Sequence, residues 1–250
     1  MIELGFVLPD IHTPLHDEKA VSAVLKCVKR HKPKFLIQLG DLGDFDSISR
    51  FGKKRKDHIK HSLQDELDAT KQMFDRIEDA LPKGCKKVFI EGNHEIRLRD
   101  FDINSLTGKE KKLIGRSSLN GIEEEMQLAK RGWEFVRYKD VYSKGKALFT
   151  HGWFVNQYHA SKTVKKWFET VIYGHTHQYQ VHTVVGRNRH PVAGISIGTL
   201  SRFDLDYVAT NPDWTTMFAP MEYYGSRGHF QITPTPIIDG KFCFQGEIYG

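Results

Sequence analysis

Apolar residues along the first third of the chain arrive in two alternating rhythms. An unbroken run, Leu4-Gly5-Phe6-Val7-Leu8, gives way to Val21, Val24, Leu25 and Val28, the i, i+3, i+4, i+7 spacing of one helix face. Phe35-Leu36-Ile37-Gln38-Leu39 is a second run. It is followed by Leu63, Leu67, Phe74, Ile77 and Leu81 on another helical stripe, closed by Pro82 and Gly84, and then by Val88-Phe89-Ile90. Strands alternating with amphipathic helices predict βαβ units and a largely parallel sheet.

From about Glu123 a further helix leads to a strand at Trp133-Glu134-Phe135-Val136. Ala147-Leu148-Phe149 and Val171-Ile172-Tyr173 then read as strands flanking a helix near residues 158 to 169. The tail changes character: residues 178 to 250 alternate in period two, notably over Val181 to Val185, Ile195 to Leu200 and Phe242 to Ile248, which predicts antiparallel strands that complete a second sheet. Asn211 to Arg227 reads as a long loop displaying Trp214, Phe218, Tyr223 and Tyr224. With neither an internal repeat nor a linker, residues 1–250 are expected to form a single α/β domain, and the charged, strand-poor stretch 97–131 a helical cap.

Composition narrows the picture only slightly. The balance of 37 Lys plus Arg against 31 Asp plus Glu is +6, which tolerates an anionic partner without establishing one. Cys27, Cys85 and Cys243 stand far apart, so neither a disulfide framework nor a thiolate zinc site is indicated, and three buried thiols are expected. No run reaches the roughly 18 apolar residues of a membrane span, and Glu3 and Asp10 interrupt any leader core. A cytoplasmic protein with no membrane partner is expected.

The chemistry stands at the strand ends: Asp10 and His12 after the first, Asp41 and Asp44 after the second, Asn93 and His94 after the third, His151 after Phe149-Thr150, and His175 and His177 after Tyr173-Gly174. Carboxyl ends of strands in an open α/β sheet form the crevice where ligands bind, so residues distant in sequence converge there. Carboxylate, amide and imidazole donors without thiolate suit Mn²⁺, Fe²⁺ or Zn²⁺. Six or seven candidates exceed one ion's needs, and two ions sharing a carboxylate can polarise a phosphoryl oxygen and make hydroxide at neutral pH. Gly40, Gly92 and Gly174 each precede a candidate, where a sharp turn or close backbone approach needs a residue without Cβ.

In order and spacing, Asp10-Ile11-His12, Gly40-Asp41-Leu42-Gly43-Asp44, Gly92-Asn93-His94-Glu95, His151-Gly152 and Gly174-His175-Thr176-His177 resemble the five blocks of the calcineurin-like metallophosphoesterases. The resemblance implies a four-layer αββα sandwich of two mixed sheets and two divalent ions per chain, with Mn²⁺ first and Fe²⁺, Zn²⁺, Mg²⁺ or Co²⁺ as alternatives. It also implies one ion on Asp10, His12 and His177 and the other on Asn93, His151 and His175. Asp41 would bridge them, His94 would stabilise or protonate the leaving oxygen, and Asp44 would orient His94. Asn93 would in addition stabilise the phosphate. Asp44-Phe45-Asp46-Ser47-Ile48-Ser49-Arg50-Phe51 and the tail from Gly198 are similar to phage-encoded members, some of which are deoxyribonucleoside 5′-monophosphatases. That points to a small phosphorylated substrate, a nucleotide, with a nuclease or phosphodiesterase as the alternative and the host cytoplasm as the compartment. A homodimer is an expectation of the same kind.

Other signals are weaker. Arg97, one turn beyond His94, and Arg50 are candidate phosphate clamps through the planar guanidinium fork. The run Lys53 to His61 could steer an anionic polymer, but it carries no aromatic on which a base could stack. Trp153, Phe154 and Tyr158 are candidates for that role. Gly194-Ile195-Ser196-Ile197-Gly198 matches G-x-S-x-G, with Asp204 and His229 available downstream, yet no helical period follows, so Ser196 is read as a strand residue.

Overall fold

The first apolar run folds as β1 (Glu3–Leu8) and the second as β2 (Phe35–Gln38). Side chains alternate across these strands: Phe6, Leu8 and Leu36 face the helices, while Val7, Phe35 and Ile37 face the opposite sheet. The computed structural model describes residues 2–49, 61–101, 120–185, 190–204, 212–225 and 227–250. Between the strands, α1 (Glu18–His31) starts at Asp17, whose carboxylate accepts from the Lys19 and Ala20 amides at 3.0 and 3.1 Å. The next helix, α2 (Leu63–Ala80), starts at a capping box between Ser62 and Asp65. Both bury their apolar stripes, α1 through Val21, Val24 and Val28 and α2 through Leu67, Phe74 and Ile77.

Further along lie β3 (Lys86–Ile90), the short α3 (Ile96–Asp100) and α4 (Ile122–Glu125), β4 (Trp133–Val136), β5 (Tyr142–Lys144) and β6 (Ala147–Thr150). These are followed by α5 (His159–Trp167), β7 (Thr170–Tyr173), β8 (Gln180–Val185) and β9 (Pro191–Ser196). The chain closes with β10 (Met217–Tyr224), β11 (His229–Ile232), β12 (Thr235–Pro236), β13 (Phe242–Phe244) and β14 (Glu247–Tyr249). One sheet runs β11-β10-β1-β2-β3-β4 with β12 also on β10, and the other β5-β6-β7-β9-β8. Both are mixed: β1 to β4 are mutually parallel with β10 antiparallel to β1, and β6, β7 and β9 are parallel between antiparallel β5 and β8. Phe149, Ile172 and Ile195 meet Val7, Ile37 and Val88 between the sheets. With α1 and α2 outside one sheet and α5 against β8 and β9, this is the αββα sandwich implied above. Each fully buried Phe or Leu there stabilises by roughly 1.5–3 kcal/mol.

Three readings of the tail and the thiols are corrected. Part of the supposed loop Asn211 to Arg227 is β10, in which Phe218 is fully buried. Phe242 to Ile248 is a hairpin rather than one strand, because Gln245 and Gly246 both take positive φ, 48° and 80°, the geometry of a two-residue turn. Of the cysteines only Cys27 is buried, and Cys243 is exposed. Most of the stretch 97–131 lies outside the described residues, as do Arg50 and all of the basic run but His61. Among the described residues no helix is long and apolar enough to cross a membrane.

Candidate metal centre

The ends of β1, β2 and β3 in one sheet and of β6 and β7 in the other open on a common edge, and every strand-end candidate lies there. Four do so on unusual backbone: His12, Asp41, His175 and His177 have φ of 55°, 50°, 67° and 59°. The left-handed region costs non-glycine residues on the order of 1–3 kcal/mol each and persists where the surroundings over-determine it. Neighbouring glycines make the room. A Cβ on Gly92 or Gly174 would lie 2.1 Å from Asp41 Oδ1 or Asp10 Oδ1.

Two clusters result. Asp10, His12 and His177 form one, and Asp41, His151 and His175 the other, each with its ligand atoms within 4.8 Å of one another; a third group of that kind, His12, Asp44 and His94, shares His12 with the first and has both of its rings turned on Asp44 through Nδ1. His177 Nε2 lies 3.1 Å from Asp10 Oδ2 and 3.0 Å from His12 Nε2. Asp41 Oδ2 stands 3.3 Å from His151 Nε2 and 3.8 Å from the Nε2 atoms of both His12 and His94, so it lies between the clusters. Asn93 Oδ1 completes the second cluster, 2.8 Å from His151 Nε2.

Ring orientation is fixed from behind. His12 Nδ1 donates to Asp44 Oδ1 at 2.9 Å and His151 Nδ1 to the Leu39 carbonyl at 2.8 Å, which leaves both Nε2 atoms facing inward. The donor set fits divalent cations on a further ground. Asp10 and Asp41 are buried, and among the described residues all their ion-pair partners are histidines. Among the described residues no fixed Lys or Arg neutralises them.

Titration follows from that charge. Burial works to raise the Asp41 pKa, but His151, His94 and His12 outweigh it and hold the carboxyl well below its ordinary range. Burial would lower His151, yet Asp41 and Asp10 drive it up to about 10. His175, desolvated and beside that charge, is pushed down to about 4.

His94 adjoins both clusters without joining either pair. Its Nδ1 donates to the Asp44 carbonyl at 2.6 Å, and Arg97 donates to that carbonyl at 2.8 Å and to His94 Nε2 at 3.0 Å. Thus Arg97, predicted as a clamp, is engaged with His94. Asp44 touches His12 at 2.9 Å as well as His94 at 3.3 Å, and its Oδ2 is buried without a hydrogen bond. Glu95 was not singled out by its sequence, since an acid beside a histidine carries no distinguishing signal. It is fully buried and accepts from the amides of Asp41 and Gly92, both at 2.9 Å, and Gly43 at 3.0 Å, tying the second block to the third. Burial and the Asp41 charge push its pKa up to about 7.

The rival constellations do not assemble. Ser196 Oγ pairs with Thr176 Oγ1 at 2.9 Å, Asp204 with Arg202, and His229 stacks on Tyr224. Trp153 packs against Trp167 at 4.6 Å and Phe154 lies under Lys162, while Tyr158 is exposed.

A two-sheet sandwich with paired His/Asp clusters at its strand ends defines a phosphoesterase class, and the calcineurin-like phosphoesterase family matches residues 6–179: the chain belongs to that family. Over nearly its full length it is similar to the Gene 54 protein of Mycobacterium phage L5, 23% identical over 267 residues with 97% of each chain covered. The Gene 54 protein of Mycobacterium phage D29 is likewise 23% identical over 256 residues, again with 97% of each covered. Among solved structures, Vacuolar Protein Sorting 29 from Cryptosporidium parvum superposes with TM-score 0.50 at 13% identity, over 97% of this chain and 95% of that one, a likeness of fold alone.

Proposed function

We propose that the chain is a dinuclear phosphomonoesterase that removes the 5′-phosphate of a nucleotide. The observation that carries the reaction class is the pair of clusters flanking Asp41, with His94 on the same edge. In this reading Asp10, His12 and His177 would hold one divalent ion and Asn93, His151 and His175 the other, with Asp41 within reach of both groups and Mn²⁺ the first ion to test. When bound, such ions supply Lewis acidity and hydroxide at neutral pH.

The chain's own residues supply position and proton. His94 has Nδ1 fixed on the Asp44 carbonyl, so Nε2 is the atom that takes up a proton from solvent once Arg97 no longer donates to it, and then, as part of an imidazolium, hydrogen-bonds or protonates the leaving oxygen. Arg97 shares that atom, and an arriving phosphoryl oxygen is a stronger acceptor for its fork than a neutral imidazole. The guanidinium therefore passes from His94 to substrate as the phosphate enters. A fixed positive charge at this point suits the doubly charged phosphate of a monoester, and the nucleotide rests on the likeness to phage-encoded members.

The test is phosphate release with Mn²⁺ from deoxyribonucleoside and ribonucleoside 5′-monophosphates, beside cleavage of single- and double-stranded DNA and a chelator control. Release from mononucleotides without strand cleavage is expected. Strand cleavage without monoester turnover would replace this reading with a nuclease.

A further inference from the structure

The indole of Trp214 is no candidate ligand, yet it touches one. It meets His177 edge-on with ring centroids 4.2 Å apart, and Phe203 meets the indole in turn at 5.8 Å. His94 and His12 (4.5 Å) and His12 and His177 (4.9 Å) are paired the same way, so a row of rings leads from His94 past the clusters to an aromatic face.

That face is rigidly mounted. The Thr215 amide donates to the His177 carbonyl at 2.9 Å, and the Thr215 carbonyl accepts from the Thr199 amide at 2.9 Å. The strap crosses Gly198 so closely that a Cβ there would lie 1.9 Å from the Thr215 oxygen. The second glycine of the G-x-S-x-G run thus serves this crossing. Trp214 remains half-buried and Phe203 is 37% exposed, which leaves apolar ring surface open at the rim of a charged centre.

We propose that Trp214, supported by Phe203, is the surface on which the substrate's base stacks, a subsite that makes the enzyme select nucleotides over other phosphate esters. The proposal rests on the nucleotide reading above and adds the residue that recognises the base. An organic group attached to a phosphate beside His177 passes the indole on its way out. Stacking on a π-face is tolerant of base identity, so the subsite distinguishes base from no base far better than one base from another.

The test titrates the Mn²⁺-loaded protein calorimetrically with non-hydrolysable phosphonate analogues of deoxyadenosine 5′-monophosphate and of 2-deoxyribose 5-phosphate, which differ only in the base. Wild type is expected to bind the first about tenfold more tightly or better, the size of one base-on-aromatic contact. Trp214→Phe keeps most of that preference. Trp214→Ala abolishes it while affinity for the sugar phosphonate and the metal content stay at wild-type values. A preference that survives in Trp214→Ala, an equal loss for both ligands or a loss of metal overturns the proposal, the last two because Trp214 would then only position His177. Base preference without phosphate release from any mononucleotide would keep the subsite and remove the monoesterase reading. Release without base preference would do the reverse.

Discussion

His94 lies 3.8 Å from the Asp41 carboxylate, but both its nitrogens are engaged by Asp44 and Arg97, so its loss leaves the two clusters intact. His94→Ala is accordingly expected to lower kcat by about 10²–10⁴, the usual range for a lost general acid or base, while elemental analysis still finds the wild-type metal content. Wild-type kcat in that variant would remove His94 from the chemistry. Much of this residue-level picture was legible because strand ends, glycines and histidines carry positional signals. Glu95 was not legible, since its role lies in three backbone amides that only the folded loops bring to one carboxylate.

At the scale of elements, α2 reaches back to the turn that carries Asp44. Glu66, buried on that helix, accepts from the Asp46 amide at 2.8 Å and the Ser47 amide at 3.4 Å and binds the Ser47 hydroxyl. Burial, with Asp44 adding repulsion, raises its pKa from 4.5 to about 8 in the folded chain. A carboxyl raised this way contributes stability that is complete below pH 4.5 and is lost as the pH rises through about 8. Glu66→Gln, fixed in the neutral form, is expected to gain in Tm relative to wild type between pH 6 and pH 9. An unchanged difference would mean that Glu66 is ionised throughout.

The longer helices and the strands β1 to β4, β6 and β7 were readable from their periods, whereas β9, read as antiparallel, also pairs in parallel with β7, and β10 was not readable as a strand. Residues Met217 to Met221 are buried on both faces, which erases alternation, and Pro220 argues against a strand. Pro220 is accommodated because the neighbouring strand breaks there: β12 pairs with Met217 and Phe218 and β11 with Met221 onward.

For the whole molecule, the candidate ligands come from both sheets, so cations held there would tie one layer to the other. Chelation is expected to lower Tm as well as abolish activity, since a ligand present at about 100 times its Kd stabilises by about 2.7 kcal/mol. Binding must also displace the proton that Asp41 and Asp10 hold on His151 up to about pH 10. Metal affinity is therefore expected to rise with pH across the neutral range, and calorimetry in buffers of different ionisation enthalpy should register proton release. A pH-independent affinity would place the proton elsewhere.

β1 sits between β2 and β10, and the register Glu3↔Tyr223 to Val7↔Ala219 joins segments that lie far apart in the order of synthesis. Every candidate ligand, the last being His177, emerges from the ribosome before residue 217. A nascent chain thus holds the complete set of metal donors while the edge of its central strand is still bare, a surface open to mispairing. Arrest-peptide measurements are expected to show the folding pull that closes the open edge of β1 only after residue 224 clears the exit tunnel, which makes the delivery of one late strand, not the making of the ligands, the step that times closure of that sheet.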